Sequence, residues 1–361
     1  MLSLNFVGRR VLARLEEASI PAWSSDRLDS ACSPEIEAPY FDDSLGAWVL
    51  SRHTDVLAAF RSAVLSPSGP HDESSEPPDE SVRVKMRADT LEALTPTQLR
   101  VWRERLTLEV HALVDSLANK QAVDLIGDYA RPLCLSFAAT VTGISLKDGE
   151  RLQEKARKVS AASADPYDMA LQPCAKSANA ALQKCFHSGP AALRDSGFVA
   201  LSQTMPCILG NAWFALMQRP KEWLLLHRHP ELMEQAVEEL LRYAGLVRIL
   251  FRRATEDVNL NGTLIRKGDR VILRIIAANR DPNYFFDANE IYVTRRSPGH
   301  FALGASSHSC VGASLIRMAA VTITYPLLKQ FSGAVLVEPV DWRGGATFRA
   351  PESLRVRLSA G

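Results

Sequence analysis

The residues best suited to chemistry lie in a short segment near the C-terminal end, residues 300–317. It reads HFALGASSHSCVGASLIR, with Cys310 in a polar loop that leads into an apolar stretch of helical spacing. A thiolate there carries a negative charge, which the N–H groups and the positive dipole end of the following helix would support. Gly312 leaves room for the backbone to approach the sulfur or its ligand. The loop therefore indicates a metal site, although a single cysteine is more often a small buried apolar residue.

The residues that flank Cys310 narrow the interpretation of this metal site. With their spacing, the loop resembles the haem-binding loop of the cytochrome P450 family. That family's pattern is Phe-Gly-x-Gly-x-His-x-Cys-x-Gly, in which the Cys binds the iron. The residues at its positions, without a gap, are Leu303, Gly304, Ser306, His308, Cys310 and Gly312. Leu303 replaces the aromatic residue that shields the sulfur, and Ser306 replaces the second Gly. The resemblance implies that Cys310 is the proximal thiolate ligand of a b-type haem.

A second segment agrees with the same family. Glu239 and Arg242 form its Glu-x-x-Arg motif, and their three-residue spacing puts both charges on one face of a helix. Such a pair is usually a solvated surface bridge. The resemblance instead implies a buried ion network with a third partner in residues 285–296. In that network both residues are structural and support the cysteine loop.

The resemblance also implies partners for the two haem propionates, since buried carboxylates need cations or hydrogen-bond donors. Arg252 matches the Arg of the family's substrate-lining strand, and His308 matches a second donor. A gap-free alignment from Leu94-Thr95-Pro96 puts Arg87 at the Arg of the family's third helix, and Arg83 at a position where many members have His. A surface role remains an alternative for Arg83.

The helix expected to cross the haem departs from the family pattern. Its Ala-Gly-x-Asp/Glu-Thr motif becomes Ala200-Leu201-Ser202-Gln203-Thr204. Thr204 is retained and is expected, with Gln203, at the catalytic position, while Ala200 and Leu201 are expected to contact the cofactor. Gln203 can donate and accept hydrogen bonds but cannot titrate. Pro206 removes a helical N–H and clashes with a preceding carbonyl, so we expect it to open the helix locally.

The substrate contacts follow only from register. Val247, Ile249 and Leu250 lie before Arg252 in the strand that lines the pocket in the resembled family. Their apolar side chains predict a hydrophobic substrate surface. Core packing is the alternative for all three residues.

Composition and periodicity set the remaining expectations. The chain has 361 residues, 47% of them hydrophobic, and a net charge of +1. These values predict a globular protein and give no support for nucleic-acid binding. Six scattered cysteines without a CxxC pair favour reduced thiols, and hence a cytoplasmic location. No segment is apolar for long enough to span a membrane.

Helical spacing dominates the chain, and several segments have their own signals. Apolar residues recur every three or four positions in the four stretches Val101–Leu117, Val123–Val141, Phe198–Leu216 and Leu232–Tyr243. Residues 1–20 predict an amphipathic first helix, and the Pro-rich, acidic residues 66–81 predict a mobile loop. Residues 258–274 predict a hairpin with an NG turn. The fold class is therefore mainly α with small β-sheets, and the resemblance implies one haem-binding domain over residues 1–361, with the family's triangular fold.

Three functions remain open at this point. The first is a monooxygenase that inserts oxygen into a small or medium apolar molecule of secondary or catabolic metabolism, with electrons from a separate ferredoxin and reductase. The second is a haem-thiolate enzyme without conventional dioxygen activation, driven by peroxide or catalysing a rearrangement or dehydration. The third is a haem- or ligand-binding protein that has lost turnover.

Overall fold

The molecule is built mainly of helices. This computed structural model describes residues 36–69, 80–186, 193–296 and 299–360. The helices of these ranges are α1 (His53–Arg61), α2 (Glu80–Ala93), α3 (Pro96–Leu117), α4 (Arg131–Thr142), α5 (Leu146–Ala164), α6 (Leu171–Gln183), α7 (Asp195–Val199), α8 (Met205–Met217), α9 (Pro220–Arg228), α10 (Met233–Ala244), α11 (Ile275–Ala278) and α12 (Ala313–Gln330). A π-helical turn at Leu125–Ala130 leads into α4, and another at Ala200–Thr204 joins α7 to α8. Single 3-10 turns lie at Pro230–Leu232 and Ser306–His308.

The strands form small sheets. They are β1 (Tyr40–Asp42), β2 (Ala47–Leu50), β3 (Leu65–Pro67), β4 (Val123–Asp124), β5 (Ile249–Ala254), β6 (Val258–Leu260), β7 (Thr263–Ile265), β8 (Arg270–Arg274), β9 (Phe331–Leu336), β10 (Trp342–Gly344), β11 (Arg349–Pro351) and β12 (Arg355–Ala360). The largest sheet has the order β1-β2-β8-β5-β3, in which only β2 and β8 are parallel. The smaller sheets are β4-β12-β9, β6-β7 and β10-β11.

Local signals explain where several helices begin and end. The Thr95 side chain accepts a hydrogen bond from the backbone of Gln98 at 3.1 Å, and Pro96 begins α3 where no helical N–H is needed. The Ser145 side chain caps α5 in the same way. Gly143, with φ of 73°, ends α4 in the left-handed conformation.

Two hydrophobic clusters lie next to the loop that contains Cys310. The larger one packs α3, α4, α8, α10 and α12 together around residues such as Trp213, Tyr129 and Leu240. A second cluster, which includes Phe60 and Phe301, joins α1 to the five-stranded sheet. Both clusters contact the cysteine loop, since Leu303 packs against the larger one and Phe301 belongs to the second.

The expected hairpin at residues 258–274 is only partly correct. Strands β6 and β7 pair around Asn261 and Gly262, as the NG turn predicts. The residues that follow turn back at Gly268, whose φ is 90°, and β8 joins the five-stranded sheet instead. In the expected loop at residues 66–81, Ser66 and Pro67 belong to β3, and α2 already begins at Glu80. Residues 70–79 of that loop and the expected helix at residues 1–20 lie outside the described residues.

The described part of the chain contains no helix that is long and apolar enough to cross a membrane.

Candidate active site

The cysteine loop, residues 299–312, is folded tightly upon itself. The Cys310 N–H donates to the Leu303 carbonyl at 2.6 Å, and the His308 N–H donates to the Ala305 carbonyl at 3.0 Å. Gly304 has a φ of 72°, and a Cβ at this position would lie 2.4 Å from the His308 carbonyl oxygen. Only glycine fits this position without strain. The loop therefore holds Cys310 in place directly before α12.

Burial of the Cys310 thiol and the polar groups around it act on its pKa in opposite directions. The backbone N–H of Gly312 donates to the sulfur, and the guanidinium groups of Arg87 and Arg317 act on it electrostatically. Burial has a larger effect and raises the pKa of the Cys310 thiol above its ordinary value. The binding of a cationic metal would supply the missing positive charge and deprotonate the thiol.

Arg87 ties α2 to the cysteine loop. Its guanidinium donates to the Ser309 carbonyl at 2.6 Å and to the Ser309 hydroxyl at 2.8 Å. Arg87, which was predicted to meet a propionate, thus contacts the residue that directly precedes Cys310 in the chain. Arg83 lies on the same helix, but its side chain is outside the described part of the chain.

Arg252 is buried on β5, on the sheet face that packs against α1. Its guanidinium carbon lies 5.5 Å from the centre of the Phe60 ring, and it donates to the Phe251 carbonyl at 2.8 Å. Leu250 packs against the hydrophobic cluster on this face, as does Val247 just before the strand. Ile249 instead packs on the opposite face with Ala47, Ile272 and Ala346. All three residues pack in hydrophobic clusters, so the substrate contacts predicted for them and the alternative of core packing both stay open.

A buried ion network lies behind the loop. Arg242 donates to both carboxylate oxygens of Glu239, at 2.7 Å and 2.8 Å, and neither side chain is exposed. Arg295 donates to the same carboxylate at 3.0 Å and so supplies a third member from residues 285–296. Arg242 also donates to the carbonyls of Asn279, Ala288 and Glu290. The network thus fastens α10 to the segment that precedes the cysteine loop.

A second ion pair lies on the Cys310 side and was not found from the sequence. Glu238 accepts hydrogen bonds from Arg317 at 2.5 Å and 2.9 Å, and the His300 ring nitrogen lies 3.4 Å from the same carboxylate. Although burial acts in the opposite direction, the hydrogen bonds from His300 and Arg317 lower the pKa of Glu238 to about 2. This pair connects α10, the cysteine loop and α12. The sequence contained one signal for this pair. Glu238 is adjacent to Glu239, and two neighbouring acidic residues on one helix point to different sides of it.

The helix that is expected to cross the haem, called the distal helix below, is distorted at Ala200–Thr204. The Met205 N–H donates to the Ala200 carbonyl, which closes a π-helical turn over Ala200–Thr204. Pro206 follows at once, and its ring prevents the regular helical bond to Ser202. The wide turn relieves that clash, so the local opening expected from Pro206 is present.

The side chains of this turn differ in burial: some point into the hydrophobic core, and the others lie on a more exposed face of the helix. Leu201 is 3% exposed and belongs to the main hydrophobic cluster, whereas Ala200 is exposed and Thr204 is half-buried. The Gln203 amide donates to the Ser202 hydroxyl at 3.3 Å, and that hydroxyl donates to the Phe198 carbonyl. The extra carbons of Leu201 are thus accommodated in the core. The cofactor contacts predicted for Leu201 and Ala200, and the catalytic roles predicted for Thr204 and Gln203, stay predictions.

Comparisons with known proteins agree with this arrangement. The family model "Cytochrome P450" matches residues 226–341, which include the ion network and Cys310. The chain is 30% identical to mycocyclosin synthase of Mycobacterium tuberculosis over 302 residues, which cover 75% of this chain and 76% of that one. The chain belongs to the cytochrome P450 family.

Two further P450 relatives extend the match over most of the chain. Nocardicin C N-oxygenase of Nocardia uniformis is 29% identical over 374 residues, covering 89% of this chain and 91% of the relative. The crystal structure of P450BioI, in complex with an acyl carrier protein ligated to hexadec-9Z-enoic acid, superposes with a TM-score of 0.79 at 25% identity. It covers 87% of this chain and 92% of that one. The fold class predicted from the sequence is confirmed, and the protein is an oxidoreductase of P450 type.

P450 enzymes bind a b-type haem, and the residues present fit that group. The Cys310 sulfur faces an N–H donor and two guanidinium groups, which is a suitable environment for an iron-bound thiolate. Buried Arg252 and loop-bound Arg87 supply cations for carboxylates. Half-buried Leu303 and Leu250 supply apolar surface. The haem, once bound, supplies dioxygen or peroxide chemistry that no side chain of this protein provides.

Proposed function

We propose that this P450 is a monooxygenase that inserts one oxygen atom into a small or medium-sized apolar molecule of secondary metabolism. The observation that carries the proposal is the pairing of an intact Cys310 loop with an opened distal turn that keeps Thr204 half-buried on its more open face. Relatives of this chain include an N-oxygenase and, at 40% identity over 45% of the chain, a polyketide-biosynthesis P450 of Bacillus subtilis; both support oxidative tailoring of a secondary metabolite.

The residues of this chain have distinct tasks in that proposal. Cys310 holds the iron, while Arg87, Arg252 and His308 bind the propionates. The Thr204 hydroxyl orients hydrogen bonds on the side of the haem where oxygen would bind. The apolar side chains of Val247 and Leu250 contact the substrate. Two electrons come from a separate ferredoxin and its reductase, so that one substrate molecule, one dioxygen, two electrons and two protons yield one hydroxylated product and one water.

A second candidate is the same oxygen insertion driven by peroxide, and Gln203 favours it. An amide replaces the carboxylic acid of the family pattern, and it is hydrogen-bonded back to Ser202. An amide cannot release a proton near neutral pH. Hydrogen peroxide already carries both electrons and both protons. One peroxide and one substrate therefore yield product and water, and no side chain has to deliver a proton.

Two measurements test the proposal. The reduced, haem-loaded protein with carbon monoxide should show the red-shifted Soret band of thiolate ligation, and Cys310→Ala should abolish it. Cys174→Ala, which removes an exposed thiol on α6, is the matched control and should leave the band unchanged. A histidine-type spectrum in the wild-type protein would contradict the assignment of Cys310.

Turnover of a substrate panel distinguishes the two oxidants. The ferredoxin route predicts product with redox partners and little product with peroxide, and it predicts that Thr204→Ala consumes electrons without forming product. The peroxide route predicts the reverse order of rates and little effect of the redox partners. The panel should include free acids and the same acids on a carrier protein, because P450BioI was crystallised with such a carrier.

A further inference from the structure

A buried histidine far along the chain from Cys310 holds the beginning of the cysteine loop. His53, the first residue of α1, is 2% exposed, and one ring nitrogen, Nε2, lies 3.0 Å from the Gly299 carbonyl oxygen. Because a carbonyl can only accept, Nε2 must carry the hydrogen. The ring also packs on Phe301, with centroids 4.4 Å apart. His53 therefore contacts the loop at both Gly299 and Phe301.

The contacts of Phe301 continue towards the sulfur. Its N–H donates to the Asn279 side chain at 2.7 Å, and its carbonyl accepts from Gly304 at 2.9 Å. Leu303, next to Gly304, accepts the hydrogen bond from Cys310. A displacement of Phe301 would thus reach Cys310 through two consecutive backbone hydrogen bonds.

The environment of His53 suits only the neutral ring. The second ring nitrogen, Nδ1, is buried and has no hydrogen-bond partner among the described residues. The ring lies between Tyr284, stacked at 3.4 Å, and the rings of Phe285 and Phe301. Burial lowers the pKa of His53 from its ordinary value, and the Gly299 hydrogen bond and the charge of Asp281 only partly oppose this.

The charged neighbours do not offer a partner for a proton on Nδ1. Asp281 accepts the backbone N–H of His53 through one oxygen and that of Asn283 through the other. Asp55, on α1 itself, accepts from Asn261 through Oδ1, and its buried Oδ2 makes no hydrogen bond to Nδ1 or to any other described group. On the loop side, His300 points to Glu238. Tyr284, which is half exposed, covers the ring from solvent.

We propose that neutral His53 is a positioning residue for the haem-thiolate loop, and that its protonation releases the loop and ends Cys310 ligation in mildly acidic solution. Protonation would bury a charged ring whose Nδ1–H has no acceptor in the described chain, and this desolvation cost destabilises the position of the ring between Tyr284 and Phe301. The native arrangement is therefore fully stable above the ordinary histidine pKa of about 6.5 and weakens as the pH falls through the lower pKa of the folded state.

The test follows the Soret band of the reduced carbon monoxide complex of the haem-loaded protein between pH 8 and pH 4.5. The wild-type band should lose its red shift in one step with a midpoint below pH 6.5. His53→Gln keeps a donor for Gly299 but cannot titrate, so its midpoint should fall by about one pH unit or more. His229→Gln, at a histidine with a half-exposed side chain, is the matched control and should keep the wild-type midpoint.

A second variant moves the midpoint in the opposite direction. Tyr284→Ala uncovers the ring, so the pKa of His53 and the midpoint should both rise towards 6.5, whereas Tyr284→Phe keeps the stack and the wild-type value. Far-UV circular dichroism at each pH separates loss of ligation from unfolding, and a histidine NMR titration measures the His53 pKa directly. Equal midpoints in wild type, His53→Gln and Tyr284→Ala would overturn the proposal. This result would leave the proposed oxygenase function unaffected.

Discussion

At the scale of single residues, the site depends on a few positions whose chemistry has no substitute. Cys310 can be recognised from the sequence because the residues around it have a fixed spacing. The roles of Glu238 and His53 could not be recognised, because each becomes apparent only when distant segments meet. His53 lies beside Gly299 and Phe301 although it is encoded near the start of the described chain.

Gly304→Ala should weaken haem binding more than any other single methyl group added to the loop. The residue has a φ of 72°, and the new Cβ would meet the His308 carbonyl at 2.4 Å. Gly268→Ala is the matched control, since its φ is 90° but nothing lies within 4 Å of the added Cβ. The control should lose only the cost of the left-handed conformation, about 1–2 kcal/mol. Haem content and urea unfolding measure both variants, and equal losses would show that the contact with His308 is unimportant.

Breaking the buried ion network should destabilise the fold strongly. Arg242→Met leaves the Glu239 carboxylate buried, and among the described residues Arg295 and the Tyr292 N–H are its remaining partners. Removing one member of a buried pair typically costs about 3–5 kcal/mol. Lys120→Met, which breaks an exposed pair with Asp128, should cost less than about 1 kcal/mol. Urea unfolding of both variants decides the matter, and similar midpoints would mean that the network is structurally dispensable.

At the scale of elements, periodicity predicted the long helices α3, α4, α8 and α10, and residue types predicted the distortion before α8. The helix around Asn211 was predicted from the sequence, and the π turn before α8 follows from Pro206. The pairing of β8 was not predicted, because its β-branched residues suit either a hairpin or a central strand. The partner of a strand is chosen by packing between segments distant in sequence, which a single segment does not encode.

Pro206→Ala should restore a regular helix at the expense of the distal site. The new N–H at position 206 can bond to the Ser202 carbonyl, so the π turn over Ala200–Thr204 loses its cause. We expect equal or higher stability together with less product formed per electron consumed, because Thr204 is reoriented. Pro326→Ala, inside α12, is the matched control and should change stability without changing that ratio. An unchanged ratio in both variants would show that the distortion has no part in catalysis.

At the scale of the whole molecule, the cysteine loop is where three separately encoded parts meet. α2 reaches it through Arg87, α1 through His53, and α10 through Glu238 with His300 and Arg317. Family resemblance predicted the proximal ligand and the Glu239 network from local motifs. It could not predict the Glu238 and His53 contacts, since each depends on how helices distant in sequence pack around the loop.

This convergence predicts a second acid transition, separate from that of His53 and measured by unfolding. The pKa of Glu238 is about 2 in the folded protein, against an ordinary value of 4.5. Because the folded value is the lower one, the carboxylate contributes stability that is fully present above about pH 4.5 and is lost as the pH falls through about 2. The difference in unfolding free energy between wild type and Glu238→Gln should therefore be constant above pH 5 and shrink steadily below pH 4.5. Glu234→Gln, at an exposed position on the same helix, should show no such trend. A difference that does not depend on pH would mean that Glu238 stabilises the loop through shape and hydrogen bonding, without its charge.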